Sequence, residues 1–382
     1  MQKPKFHIPN GLDKILSPRL LSAAEREWVS KKPNGQCIAM LEHYPSVIIL
    51  LLNWNGWCDT IECLESVFRL NYPNYRVIVC DNGSTDDSPA YIKAWAEGRY
   101  HFTVPPESPL SALPCTPIAK PIAYLERTLA QTGPCSKQDE PDAKLTLIQV
   151  GKNLGFAGGN NVGLSYALSY CQFDYIWLLN SDTVVLPDTL TRLIEAASKD
   201  CKIGLCGSTV LYYHNPSRIQ TLGGGRYHKW FGLTSHIAEE ECLTDIPAEM
   251  RCRLAASMDY VMGASMLVSR NFLETVGLMS EEYFLYFEEL DWAMRAKGRF
   301  RLGYAVESIV YHKSGRSVGN TPKEWSPTSV FHTTRSRIKF VRKFYPAFLP
   351  IVYVRLLLSL FNQWRKGQCA QAQAIWKAMR HQ

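Results

Sequence analysis

The sequence predicts an α/β chain built on a mostly parallel sheet flanked by helices, a Rossmann-like architecture, and three observations carry that reading. Apolar runs alternate with helical patterns through the first half of the chain in βαβα order. The runs VIILLLN, RVIVCD and YIWLLN are continuously apolar, as strands covered on both faces require, rather than alternating. Each run closes on polar residues and glycine, and open α/β sheets bind ligands at such strand ends.

In chain order, strands are expected over 47–53, 76–81, 145–150 and 175–180, each followed by a helix, over 60–70, 87–96, 158–170 and 187–198. The stretch 100–144 is rich in Pro, Ser and other polar residues and reads as an inserted surface excursion, with one short helical stretch near 122–130 and no catalytic part. Beyond 202, IGLCGSTVLYY, MDYVMGASMLVS and RLGYAVESIVYH read as strands and 288–297 as a helix, which completes the sheet and builds an acceptor-side wall. Three parts follow: an extension over 1–45, a core domain over 46–320 and a helical, basic and apolar C-terminal segment over 321–382.

Composition narrows the class. A chain of 382 residues, 46% hydrophobic and 20% charged, can bury one large core or two modest ones. Its twelve cysteines form no C-x-x-C pair and match no zinc module, so they read as scattered thiols of a reducing cytoplasm. No apolar h-region of a signal peptide precedes Pro45. The net charge of +7 is a C-terminal property, because ten Lys/Arg and no Asp or Glu lie between Trp325 and Gln382. That basic segment interleaves with the apolar stretch 344–361, flanked by Arg342, Lys343, Arg365 and Lys366. It carries no nucleic-acid motif and suits anionic lipid better. Two prolines and Arg355 spoil it as a spanning helix. Two readings stay open for 344–366: an in-plane peripheral membrane anchor, or a helix packed on the domain.

Four strand ends carry chemistry. Asn53-Trp54-Asn55-Gly56 sets an aromatic beside amides, able to stack on and hydrogen-bond a nucleobase; an ordinary Asn-Gly turn reads the same way. In Asp81-Asn82-Gly83-Ser84-Thr85-Asp86 the later residues can cap the next helix, whereas Asp81 leaves a buried strand directly and can accept a base N–H. The glycine-rich run 151–163 opens a helix, so its backbone N–H groups can approach a phosphate; it lacks the G-x-G-x-x-G dinucleotide fingerprint. Asn180-Ser181-Asp182 places two oxygen-bearing side chains two positions apart, a pattern that suits Mg²⁺ or Mn²⁺ on a diphosphate and is also a common turn. Farther on, Glu288, Glu289 and Asp291 begin a helix; dipole stabilisation accounts for one of them, but three exceed that need.

In combination, N-W-N-G, D-N-G-S-T-D, N-L-G-F-A-G-G-N-N, N-S-D, F-E-E-L-D-W and the later Y-H resemble the family 2 glycosyltransferases of GT-A fold, most closely their rhamnosyltransferase-like and galactofuranosyltransferase-like members. The resemblance covers roughly 47–319 apart from the excursion. It implies a donor site of Asn53, Trp54, Asn55, Asp81, Asn82, Ser84, Asn153, Gly155, Phe156, Asn160 and Asn180, with Arg316 near the leaving diphosphate. It implies a Mg²⁺ or Mn²⁺ site of Asp182, His312 and Asn180, the last standing where the fullest D-x-D form has aspartate. Glu289 occupies the catalytic-base position, where many relatives carry aspartate; Asp291 orients the site and Glu288 is the backup carboxylate. Lys313 is a second phosphate contact, while His214, His228 and His236 match no motif and read as surface or acceptor-side residues. The implied reaction is inverting transfer of a rhamnose-like sugar from a nucleotide diphosphate to a hydroxyl of a glycan or lipid-linked glycan in cell-surface polysaccharide synthesis, at the inner face of a membrane. The alternative is a non-catalytic glycan- or membrane-binding protein on a decayed transferase fold.

Overall fold

The structure, a computed structural model, describes residues 44–112, 118–132, 143–314 and 325–380. In chain order, β1 (Val47–Asn53) leads through α1 (Trp57–Val67) to β2 (Tyr75–Asp81) and α2 (Ser88–Ala96), then β3 (Tyr124–Thr128), β4 (Leu145–Gln149), α3 (Gly155–Tyr170), β5 (Tyr175–Asn180), β6 (Thr183–Val185) and α4 (Thr189–Ala197). The second half runs β7 (Ile203–Tyr212), β8 (Asn215–Leu222), β9 (Gly224–His228), β10 (Leu233–His236), α5 (Ala248–Ala255), β11 (Tyr260–Val261), β12 (Ser265–Ser269), α6 (Arg270–Val276), α7 (Glu288–Ala296) and β13 (Arg301–His312). Three helices close the chain: α8 (Pro327–Phe344), α9 (Leu349–Arg365) and α10 (Cys369–Arg380).

The main sheet has the order β3-β4-β2-β1-β5-β12-β7-β13-β6, with β8 paired to β7. Strands β3, β4, β2, β1 and β5 are mutually parallel, while β12 is inserted antiparallel between β5 and β7. The apolar runs read as strands are buried on both faces. Ile48, Leu50, Ile78 and Leu178 point into one core with α3 and α7, and Val47, Ile49, Leu51, Val77 and Trp177 into the other with α1, α2 and α4. A separate sheet, β10-β9-β11, stands beside the second half.

Two expectations are corrected. The helical stretch near 122–130 is instead the edge strand β3, paired in parallel with β4 from Tyr124↔Leu145 to Thr128↔Gln149, followed by a 3-10 turn over Leu129–Gln131. Leu125, Glu126 and Arg127 are good helix formers, but the unpaired edge of β4 offers a full ladder, and charged residues suit an edge strand. The segment MDYVMGASMLVS is two strands rather than one, β11 and β12, in different sheets. The C-terminal stretch 344–361 spans the end of α8 and most of α9, which a turn beginning at Pro346 separates, with Pro350 in the first turn of α9.

Candidate functional site

Loops at the carboxyl ends of β1, β2, β4 and β5 meet the first turn of α7. Asn53 is fully buried and joins the first two ends: its Nδ2 donates to Asp81 Oδ1 at 2.7 Å and to Ser84 Oγ at 3.1 Å, while Thr60 donates to its Oδ1 at 2.8 Å. Asp81 Oδ2 accepts from Ser84 N at 3.0 Å. Asn55 is exposed, at φ 49°, and accepts from Thr85 N at 2.7 Å. Trp54 lies half-buried at the rim of this cluster.

Asn82 ties the second end to the third. Its Nδ2 donates to Asn153 Oδ1 at 3.0 Å and to Gly155 O at 3.1 Å, and its Oδ1 accepts from Leu154 N at 3.0 Å. Gly155 has φ 76°, and a Cβ there would fall 2.2 Å from Phe284 O, so only glycine lets the glycine-rich turn dock on the loop before α7. Phe156 N donates to that same carbonyl at 2.8 Å. Asn160 turns to its own helix, donating to Phe156 O at 2.9 Å. The neighbouring Asn161 clamps the loop from both sides, donating to Met279 O and Glu281 Oε1 and accepting from Met279 N.

Asp182 and His312, at the facing ends of β5 and β13, come together with Asn180. His312 Nε2 lies 3.1 Å from Asp182 Oδ1 and 3.3 Å from Asn180 Nδ2. Its Nδ1 faces Gln220 Oε1 at 2.8 Å, and Gln220 is 3% exposed. That contact places the ring hydrogen on Nδ1 and turns the Nε2 lone pair toward the carboxylate. Two acceptors so opposed need a proton or a cation between them. An imidazole, a carboxylate and an amide that can rotate its oxygen inward form a donor set for a divalent cation. Among the described residues no group of three His, Cys, Asp or Glu converges, so the amide is needed to complete a set of three. Burial pushes Asp182 up, but when a proton sits between the pair the charged His312, then Lys313, outweigh it and hold the carboxyl below its ordinary range. Lys313 turns away from a free phosphate role, bridging Asp59 and Glu62 of α1 at 2.5 Å each.

The three acidic residues of α7 separate into different environments. Glu289, partly exposed, accepts Gly263 N–H at Oε1, 3.2 Å. A Cβ on Gly263 would lie 2.4 Å from that oxygen and 3.1 Å from the Phe156 ring, which puts the glycine-rich turn and the carboxylate around one glycine. Glu288 is 2% exposed with Oε2 unpartnered; burial, then the neighbouring Glu289, push its carboxyl well up. Burial also raises Glu289. Asp291 is fully buried and spends both oxygens on partners: Arg295 at 2.7 Å, Lys343 at 2.7 Å and Tyr283 OH at 3.2 Å. Through these partners it anchors α7 to α8. Tyr286 and Phe287, directly before the helix, both take left-handed backbone, φ 68° and 73°. Each such residue costs roughly 1–3 kcal/mol. The packing of Phe287 on Phe340 and the bond from Tyr286 OH to Ser329 Oγ hold them there.

Residues 263 and 264 connect the two halves of the site. Gly263 N–H binds Glu289, and Ala264 O accepts from Asn180 N at 3.1 Å. Gly263 and Gln220 carry no signal in the sequence that marks them as site residues, since their partners lie 26 and 92 positions away, and Asn161, though part of the glycine-rich motif, has partners 118 and 120 positions away. Arg316 lies outside the described residues.

Comparison with known proteins places the chain in a family. The family described as glycosyltransferase like family 2 matches residues 135–326, and the glycosyl transferase family 2 description matches 46–106. The low-salt glycan biosynthesis hexosyltransferase Agl10 of Haloferax volcanii is 23% identical over 164 residues, 43% of this chain; the match spans 48% of that relative's length. Among solved structures, GalNAc-T7 with UDP, GalNAc and Mn²⁺ shares the fold, with TM-score 0.52 and 13% identity over 82% of this chain and 50% of that one. The mannosyltransferase PcManGT of Pyrobaculum calidifontis, in complex with GDP-Man and Mn²⁺, is similar at TM-score 0.48 and 16% identity over 93% of this chain and 79% of that one. A family match over half of the chain, on a mostly parallel sheet flanked by helices, makes this protein a member of glycosyltransferase family 2 with a GT-A-like fold.

Proposed function

We propose that the protein is an inverting glycosyltransferase that moves a sugar, rhamnose-like in class, from a nucleotide diphosphate to a hydroxyl of a glycan or lipid-linked glycan in cell-surface polysaccharide synthesis, working from the cytoplasmic face of a membrane. The observation that carries the reading is the link through Gly263 and Ala264, which holds Glu289 beside the Asn180–Asp182–His312 set. The cluster of Asn53, Asp81 and Ser84 suits a base edge, and the turn of Asn82, Asn153, Gly155 and Phe156 suits the rest of the donor. Agl10 is described as a hexosyltransferase of glycan biosynthesis, in keeping with this substrate class. The same reading divides the chain into an extension over 1–45, a transferase domain over 46–320 and a membrane-facing segment over 321–382.

Of the three carboxylates on α7, Glu289 is partly exposed and makes no ion pair among the described residues, so it is the base. The acceptor oxygen bonds to the anomeric carbon as that carbon's bond to the diphosphate oxygen breaks. The hydroxyl proton passes to Glu289, and the electron pair leaves with the diphosphate. A single displacement at the anomeric carbon inverts its configuration. Asp182, His312 and Asn180 would hold a divalent cation, which when bound would supply neutralising charge for the leaving diphosphate. Asp291 is a positioning residue that acts through the angle of α7.

The test is a thermal-shift panel of UDP, dTDP, GDP and CDP, each with and without Mn²⁺, because a ligand that binds only the folded state raises its stability. A cation-dependent shift with one nucleotide is expected, and dTDP would support the rhamnose-like donor. No shift with any of the four would overturn the donor site.

A further inference from the structure

The C-terminal segment carries an unpartnered apolar face, and a second element extends it. On α9, Ile351, Val354, Leu358 and Phe361 recur at helical spacing and are 38%, 58%, 65% and 55% exposed, with Trp364 beside them at 62%. The opposite face is occupied: Val352 and Leu356 are buried against Ile338 and Val341 of α8 and Ile375 of α10. Pro346–Arg365 is long and apolar enough to cross a bilayer by length and composition. Crossing would strip that packed face from α8 and α10 and carry Arg355 into hydrocarbon.

The turn between β9 and β10 reaches the same surface. Trp230 and Phe231 are 56% and 46% exposed at its tip. The Trp230 ring meets Phe348 edge-on at 4.7 Å, and Arg355 lies over the Phe231 ring at 5.5 Å. The turn is fixed rather than loose, since Gly232 has φ 62° and packs on Arg337 and Val341 of α8. Lys229, Arg355, Arg365 and Lys366 rim the patch, and the chain from Trp325 onward has no acidic residue to oppose them. Apolar side chains with indole rings and a cationic rim match an anionic lipid surface, where aromatic residues settle at headgroup depth.

We propose that α9 and the 229–232 turn form one bilayer-docking face that lies in the plane of an anionic leaflet, with Trp230 and Phe231 as a second anchor. The inference rests on the membrane-borne acceptor of the proposed function and gives it an orientation. Strand β9 leads from the turn to β11, two residues before Gly263 and its bond to Glu289. Helix α8, which backs α9, holds α7 through Lys343 and Asp291. Two rigid connections thus tie the docking face to the base.

The experiment is flotation of the full 382-residue chain with vesicles of phosphatidylcholine alone and of phosphatidylcholine with phosphatidylglycerol, at low and high salt, without donor or cation. Expected are flotation with the anionic vesicles, weakening at high salt, and release by alkaline carbonate. The pairs Trp230→Ser/Phe231→Ser and Leu358→Ser/Phe361→Ser change exposed side chains, and circular dichroism checks that each variant is folded. Each pair is expected to lower vesicle partition about tenfold or more. Wild-type flotation of the first pair would overturn the second anchor, and of the second pair the whole face. Resistance to carbonate would overturn the in-plane geometry. Self-association by light scattering with no flotation would assign the face to a second copy of the chain. Because nucleotide and cation play no part, a failed nucleotide panel leaves this result standing, and the reverse holds.

Discussion

Replacing Gln220 by leucine tests whether His312 is set up to hold a cation. Gln220 Oε1 accepts from Nδ1 of a 5% exposed imidazole at 2.8 Å, and leucine fills similar space without an acceptor. Left alone, the buried Nδ1–H would cost about 1–3 kcal/mol. The ring has an escape: moving the hydrogen to Nε2 lets it donate to Asp182 Oδ1, 3.1 Å away. That relief keeps the stability loss near about 1 kcal/mol, but it occupies the lone pair a cation needs. Mn²⁺ affinity should therefore fall about 10–100-fold, the usual effect of losing a residue that orients a ligand. In Gln220→Glu, a carboxylate still accepts from Nδ1, and affinity should be kept or rise. Free Mn²⁺ measured by electron paramagnetic resonance during titration reads this directly, with no turnover required. Unchanged Mn²⁺ affinity in folded Gln220→Leu would refute the orienting role.

Other expectations follow from the same geometry. Glu289→Gln should lose transfer by at least about a hundredfold, as removal of a general base does, while nucleotide binding in the thermal-shift assay is retained; near-normal turnover would remove Glu289 as the base. Burial raises the Glu289 carboxyl, so the acidic limb of the rate profile should sit above the ordinary glutamate value of 4.5, activity rising with pH as the base loses its proton. An acidic limb at or below 4.5 would contradict that environment. For Glu288, also raised, the native state holds its proton longer than the unfolded chain, so its contribution to stability declines as pH climbs from about 4.5 through the raised value; Glu288→Gln should flatten that decline in denaturant midpoints. Asp291→Ala leaves Arg295 and Lys343 facing an empty site and should cost about 3 kcal/mol by chemical unfolding, the low end for a broken buried pair because both cations are partly exposed.

Much of the fold could be read from local pattern. The runs closing on Asn53, Asp81 and Asn180 are strands with those polar residues at their ends, because continuous apolar character over such short lengths fits a strand covered on both faces. The edge strand Tyr124–Thr128 was opaque for the opposite reason: Leu125 to Arg127 favour a helix locally, and only the ladder with β4 decides otherwise. Within the site, Asp182 and His312 could be named from motifs, yet nothing local pairs His312 with Gln220 or Glu289 with Gly263. Those contacts arise where separate strands are brought into register, so they belong to the tertiary structure alone. Asp291 is marked by its motif as an orienting residue, but its partner Lys343, 52 residues on, is not.

The embrace between α7 and α8 bears on how the enzyme could be handled. Lys343 is paired with Asp291, and Ser336 Oγ donates to Leu285 O just ahead of the left-handed pair Tyr286 and Phe287. A chain cut back before Pro327 to gain solubility would thus shed the apolar tail together with the brace that holds α7 and the proposed base Glu289. Polar replacements on the outer side of α9 would spare that brace, and they are the better route to a water-soluble enzyme that still reports native chemistry.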